Sequence, residues 1–277
     1  MTTIAVTGAT GHVGGRVARL VADLQPRLVV RDPSRAPELE GSTVAQASYD
    51  DLDAGVAALR GVDVLLMVSG SESRTRRDEH RTFIRAAADA GVGHIVYTSF
   101  AGAAPDAKFT LGRDHFDAEQ AIGETDMAHT FLRDNFYLDV LPYFADEQGV
   151  IRGPSADGRV AAVARADVAD VAATVLRSPS EHAGATYELT GPEALTLSEV
   201  AERIAAATGR PTRFEDETVE AAYASRRAAY GAEDWQLDAW VSTYTAIRDG
   251  EVATVTDDVR RVTGHAPRTL EDVLRGR

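Results

Sequence analysis

Apolar and polar positions alternate in blocks along the first half of the chain, and the period of each block identifies the element it forms. Ile4 to Thr7 is a short apolar run ending in Gly8, the form of a buried strand. Val13, Val17, Leu20, Val21 and Leu24 then recur at helical spacing on one face. Leu28 to Val30 and Thr43 to Ala47 are predicted strands, and Asp51 or Asp53 caps a helix running to Leu59. Val62 to Val68 is nearly all apolar, as a strand covered by helices on both faces requires. A helix around Phe83 to Ala90 stops at Gly91, and His94 to Thr98 follows as a strand. A helix from about Arg113 to Ile122 and a strand at Ala128 to Leu132 continue the series. Such alternation predicts an α/β fold, a Rossmann-type doubly wound parallel sheet.

After Gly149 the pattern changes. Short strands at Val160 to Val163 and Thr186 to Leu189 flank a helix starting near Asp167. Thr196-Leu197-Ser198-Glu199 has the form of a capping box, and beyond Glu217 the chain reads as mostly helical. Residues 1–150 are therefore placed in a Rossmann domain, to which strands and a helix from about 159–185 return. Residues 186–277 are placed in a smaller, mostly helical substrate lobe interleaved with the sheet.

Composition narrows the function. With 29 Lys and Arg against 43 Asp and Glu, the formal charge of −14 repels phosphate backbones, and no nucleic-acid partner is expected. Arg74, Arg76 and Arg77 form the one basic cluster, diluted at once by Asp78 and Glu79. The absence of cysteine excludes disulfides, thiolate metal sites and a Cys nucleophile. The seven histidines are scattered without ligand spacing, so no metal is expected. No apolar run approaches the ~20 residues of a membrane helix, and the first strand begins within a few residues of Met1. The expectation is a cytoplasmic protein without a membrane partner, a monomer or homodimer.

Thr7-Gly8-Ala9-Thr10-Gly11-His12-Val13-Gly14 lies between the first strand and the first helix. At this spacing Gly8 permits the tight turn, Gly11 lets the backbone approach a pyrophosphate, and Gly14 lets helix and strand pack closely. The free N–H groups of the helix start then face the phosphates. The second strand ends at Arg31, where an NAD enzyme usually carries an acid for the ribose 2′-hydroxyl. A guanidinium there suits a 2′-phosphate, with Arg35 as a second fork, so NADP(H) is favoured. Asp32 is adjacent, which leaves NAD(H) open.

TGATGHVGG, VVRDPSR, HIVYTSF, FLRDNFY, VARADVADVAATVL and YELTGPEALTLSEVAERIAAATG together resemble the NmrA-like, atypical short-chain dehydrogenase/reductase group. Within it the chain is similar to the quinone oxidoreductase type 2 and triphenylmethane reductase branch. The resemblance implies a Rossmann fold with a small C-terminal lobe, and a planar acceptor beside the nicotinamide. It implies a pyrophosphate loop of Gly8, Thr10, Gly11, His12 and Val13, and a 2′-phosphate site of Arg31 and Arg35. Ser48 stands where many relatives carry Asp against adenine.

Ordinary short-chain dehydrogenases protonate a carbonyl with a Tyr-x-x-x-Lys pair, but the matching helix here reads His115-Phe116-Asp117-Ala118-Glu119. Hydride addition to a quinone gives a stabilised anion that water can protonate, so the pair is dispensable for that acceptor. Among individual residues, Ser99 either bonds acceptor or cofactor or caps its strand. His115 donates a proton or lines the wall. Asn135 binds a carboxamide, polarises the acceptor or caps a helix. Ser69, Gly70 and Ser71 pass the nicotinamide ribose, while Phe136, Tyr137 and Trp235 stack on a planar substrate or pack the core. The leading expectation is an NADPH-dependent oxidoreductase reducing quinones or similar planar conjugated acceptors. Its alternatives are an NADP(H)-binding redox sensor without turnover and a biosynthetic reductase with its own planar substrate.

Overall fold

The computed structural model describes residues 2–276. Its sheet has seven strands: β1 (Ile4–Thr7), β2 (Arg27–Val30), β3 (Thr43–Gln46), β4 (Val64–Met67), β5 (His94–Phe100), β6 (Ala128–Asp134) and one later strand, Thr186–Leu189. Counting in chain order, Val150–Gly153 is β7, Arg159–Val160 is β8, and that later strand is β9. The sheet order is β3-β2-β1-β4-β5-β6-β9, and the pairs β1–β2, β1–β4, β2–β3 and β4–β5 run parallel. Helices α1 (His12–Leu20), α2 (Leu52–Leu59), α3 (Arg76–Asp89), α4 (Thr110–Gly123) and α5 (Arg165–Arg177) connect the strands. The order reverses between β1 and β4, and a doubly wound sheet opens its ligand crevice at the carboxyl ends of such a pair.

Every residue of β1, β4 and β5 is buried, which is why β4 reads as an unbroken apolar run and why the polar His94, Thr98 and Ser99 of β5 lie in the interior. Leu65, Met67, Ile95, Tyr97 and Phe83 share one core cluster with Leu59 and Ile122. Side chains of this size each stabilise the fold by roughly 1.5–3 kcal/mol on burial. β3 is the sheet edge, and its residues are mostly exposed.

The chain forms two compact units. One holds the chain up to Phe100 with Asp114–Arg133 and Ala166–Tyr187; the other holds Ala101–Arg113, Asp134–Arg165 and the chain from Glu188 onward. The apolar pattern placed 1–150 in one domain, whereas residues 101–113 and 134–150 pack with the second unit. The links responsible are long-range: Thr110 N–H donates to Ser242 Oγ at 3.1 Å, and Asn135 Nδ2 donates to the Val252 carbonyl at 3.0 Å. Periodicity carries no signal for such pairings.

The second unit contains β10 (Leu195–Thr196), α6 (Leu197–Thr208), β11 (Arg213–Asp216), α7 (Val219–Tyr230), α8 (Asp234–Arg248), α9 (Asp258–Thr263) and α10 (Leu270–Leu274). The predicted capping box forms: Thr196 Oγ1 accepts from Glu199 N–H at 3.1 Å, and the Glu199 carboxylate accepts from Thr196 N–H at 2.8 Å. Of the strand expected at Val160 to Val163, only Val160 lies in a named strand, β8. Beyond it Ala161 N–H donates to Val252 and Val163 N–H to Phe136, so loops take the bonds a strand would offer. The parallel pair β7–β11 was not legible, being two four-residue strands without strong alternation. Among the described residues no helix is long and apolar enough to cross a membrane.

Candidate functional site

The carboxyl ends of β1 and β4 lie side by side. Gly8 has φ +62°, a conformation that favours glycine, and a methyl group there would lie 3.0 Å from Val68 Cβ. A methyl at Gly14 would overlap the Gly8 carbonyl oxygen, so the turn and the start of α1 fit only without these side chains. Gly11 is the N-cap of α1 and provides no side-chain cap, leaving the first-turn N–H groups without an intrahelical acceptor. Gly8, Thr10, Gly11 and His12 are exposed while Val13 and Gly14 are buried. A nine-residue helix without a side-chain cap, behind an exposed turn with glycine at positions 8 and 11, fits a pyrophosphate.

A hydrogen-bonded bracket that the sequence did not disclose ties this turn to β4. Val68 N–H donates to Thr7 Oγ1 at 2.9 Å, and Tyr49 Oη donates to the Val68 carbonyl at 2.6 Å. Thr7 Oγ1 and Tyr49 Oη are 2.6 Å apart, and with the phenol proton on Val68 the threonine is the donor. Burial pushes the Tyr49 phenol well above the ordinary tyrosine range.

At the end of β2 both Arg31 and Arg35 are exposed, and the acid between them is occupied by its own turn. Asp32 Oδ1 accepts from Ser34 N–H at 3.0 Å and Ser34 Oγ at 2.7 Å, and the serine bonds hold its carboxyl below the usual range. Asp32 is thereby drawn into the 3₁₀ turn Pro33–Arg35 while the guanidiniums remain in solvent. Ser48, half-buried, donates its hydroxyl to Asp50.

Past β4, Ser69 N–H donates to Thr98 Oγ1 at 2.8 Å, and Ser71 is exposed. Gly70 is held on both sides. Its N–H donates to His80 Nε2 at 2.8 Å and its carbonyl accepts from Arg76 Nε at 3.0 Å. Arg76, read from sequence as part of a diluted surface cluster, is a buried guanidinium with 3% of its side chain exposed. It also reaches Asp114 Oδ2 at 3.4 Å and His115 Nε2 at 3.0 Å.

That contact decides the fate of His115. A guanidinium only donates, so His115 Nε2 accepts and the ring carries its proton on Nδ1, which faces Tyr97 Oη at 3.1 Å. Burial first, then the Arg76 and His80 charges, hold its pKa well below the imidazole range. His115 is thus buried, with both ring nitrogens bonded to the protein's own side chains. Glu119 does not orient it. Its carboxylate takes Arg133 Nε and Nη2 at 2.9 and 2.7 Å and Ser99 Oγ at 2.6 Å. The Ser99 proton is thus committed to Glu119, and only an acceptor lone pair is left for a ligand.

In the second unit Asn135 is buried and turned onto the chain: Nδ2 donates to Val252 and Oδ1 accepts from Phe136 N–H at 2.8 Å. These bonds hold the loop after β6 and use one Nδ2 proton and one Oδ1 lone pair of the amide. Phe136 meets Phe109 edge-on at 5.1 Å, and Tyr137 donates to Asp134 Oδ2 at 2.8 Å beneath the Arg165 guanidinium. Burial raises the Asp134 carboxyl well above the ordinary aspartate range, against the Tyr137 bond that lowers it. Trp235 is half-buried in the first turn of α8. Farther along, Tyr244 is core, packed on Phe144 at 5.6 Å.

The family model described as NAD(P)H-binding matches residues 8–179. Quinone oxidoreductase 2 of Escherichia coli is 33% identical over 97% of this chain and 96% of its own length. The NAD(P)H azoreductase of Xenophilus azovorans is 34% identical over 97% and 96%. Among solved structures, the NADPH-dependent quinone oxidoreductase of Escherichia coli complexed with NADPH superposes with a TM-score of 0.89 at 32% identity, covering 99% of both chains. Triphenylmethane reductase from Citrobacter sp. superposes with a TM-score of 0.86 at 29% identity, covering 99% of this chain and 98% of its own.

Proposed function

The chain belongs to the NAD(P)H-binding family, as an NAD(P)H-dependent oxidoreductase, and from that premise we propose that it transfers hydride from NADPH to a quinone or similar planar conjugated acceptor. The observation that carries the choice of acceptor is the neutral, doubly bonded His115 in the helix where a carbonyl reductase keeps its acid. Bound NADPH supplies the hydride. The turn Gly8–Gly14 and the start of α1 hold the pyrophosphate through backbone N–H groups. Arg31 and Arg35 take the 2′-phosphate, and the engaged Asp32 favours it over a bare ribose hydroxyl. Ser48 lies toward adenine, and Ser69 to Ser71 carry the nicotinamide ribose. Phe136, Tyr137 and Trp235 offer the aromatic faces for a planar substrate.

Among the described residues His115 has both nitrogens taken by the protein, which favours an acceptor that accommodates the incoming electron pair itself. A quinone does so by spreading charge onto oxygen, after which water delivers the proton. The quinone, azo and triphenylmethane acceptors in the relatives' names all receive the electron pair into a conjugated system, the azo group on nitrogen and a triphenylmethane cation at its central carbon. Steady-state oxidation of NADPH with simple quinones and with unconjugated ketones tests the reading. Turnover confined to the conjugated acceptors is expected; clean ketone reduction without quinone reduction would overturn it.

A further inference from the structure

The first two turns of α3 present Arg76 and His80 four residues apart on one face, and both are turned to the same peptide. His80 Nε2 accepts the Gly70 N–H, so a neutral His80 carries its proton on Nδ1, 3.4 Å from Tyr97 Oη. His115, with Nε2 facing Arg76, carries its proton on Nδ1 as well. The Tyr97 hydroxyl therefore lies between two N–H groups, and neither imidazole can change tautomer without losing a buried bond. Burial lowers His80 to about 3, with Arg76 contributing next. The chain Gly70–His80–Tyr97–His115–Arg76 closes back on Gly70 through Arg76 Nε. A methyl at Gly70 would sit 3.3 Å from His80 Nε2, so the peptide lies directly against its brace.

We propose that Arg76 and His80 are positioning residues for the nicotinamide half of the cofactor, bracing the Gly70 peptide from both sides while Arg76 fixes the tautomer of His115. This rests on the cofactor reading above, in which the turn after β4 carries the nicotinamide ribose. Among the described residues the brace makes no hydrogen bond to Arg31 or Arg35, which serve the adenosine half; its one ring contact on that side is His80 edge-on to Tyr49. Its removal therefore weakens NADPH without weakening adenosine 2′,5′-bisphosphate, a probe that lacks the nicotinamide. A residue needed only for folding would weaken both.

The test is titration of wild type, R76K, H80L and H80Q with NADPH and with adenosine 2′,5′-bisphosphate. Losing a buried bond to the Gly70 peptide is expected to weaken NADPH about tenfold or more in R76K and H80L, with the bisphosphate within about twofold. The amide oxygen in H80Q replaces the Nε2 acceptor and restores NADPH affinity. Nitrogen-15 spectra of the histidine side chains are expected to show Nδ1–H for His80 and His115 in wild type, with the His115 tautomer released in R76K. Equal weakening of both ligands, no rescue by H80Q, or an Nε2–H tautomer in wild type overturns the brace. Wild type binding neither ligand overturns the cofactor reading instead.

Discussion

Arg31 and His115 show how its surroundings set what a basic side chain can do. Arg31 is exposed to solvent at the end of β2, where the proposed function gives it the 2′-phosphate. Arg31→Ala is expected to weaken NADPH roughly ten- to a hundredfold, the value of about 1.5–3 kcal/mol for a charge-assisted bond, and NADH by far less. Paired titrations check this, and equal losses would make Arg31 a structural residue. His115 is buried against Arg76, with its pKa depressed. A histidine with a lowered pKa stays neutral through the mildly acidic range where a free imidazole would charge. The wild-type rate is therefore expected to show no imidazole titration near about 6.5. His115→Ala should cost less than the roughly hundredfold of a true general acid. A pH–rate profile of both proteins decides it: a loss of several thousandfold that also abolishes a wild-type inflection would reinstate His115 as the acid.

At the scale of elements, the turn between β1 and α1 tolerates almost no added volume. Gly14→Ala places a methyl against the Gly8 carbonyl, backbone that cannot rotate away. Overpacking of that kind costs about 1–3 kcal/mol. Because relief must come from moving the turn, NADPH affinity is expected to fall at least tenfold while the far-ultraviolet spectrum of the sheet is retained. Unchanged affinity would show that the pyrophosphate is held elsewhere. α3 illustrates the converse. It begins at Arg76, seven residues before the apolar start at Phe83, because its first turns bury an arginine and a histidine rather than leucines.

For the whole molecule, ligand binding and stability are linked. A ligand that binds only the folded state at a hundred times its Kd adds about 2.7 kcal/mol. In a chain of this size that raises the melting temperature by about 5 °C, at roughly 2 °C per kcal/mol. NADPH is expected to give this shift and NADH a smaller one at equal concentration, since the 2′-phosphate contact is the difference between them. Thermal melts with each cofactor measure it, and identical shifts would count against NADP(H) preference. With a formal charge of −14 the molecule as a whole repels an anionic ligand, and the proposed Arg31–Arg35 site would offset that locally.

The sequence by itself determined whatever depends on neighbours along the chain. The apolar runs of β1 and β4, the glycine turn, the Thr196–Glu199 capping box and the charge at the end of β2 are local in this sense. Each follows from steric or hydrogen-bonding rules acting within about four residues, so its type could be read before any packing was known. The tertiary structure alone decided which polar residues are buried and what they hold. Arg76 and His80 look like members of a solvated RRDEHR face until β5 and α4 bring Tyr97 and His115 against them. Ser99, Glu119 and Arg133 come from β5, α4 and β6, and Tyr49, Thr7 and Val68 from three separate segments. A buried polar group must find partners or pay for their absence, and those partners are chosen by proximity in space. That is why the glycine turn was legible and the network behind it was not.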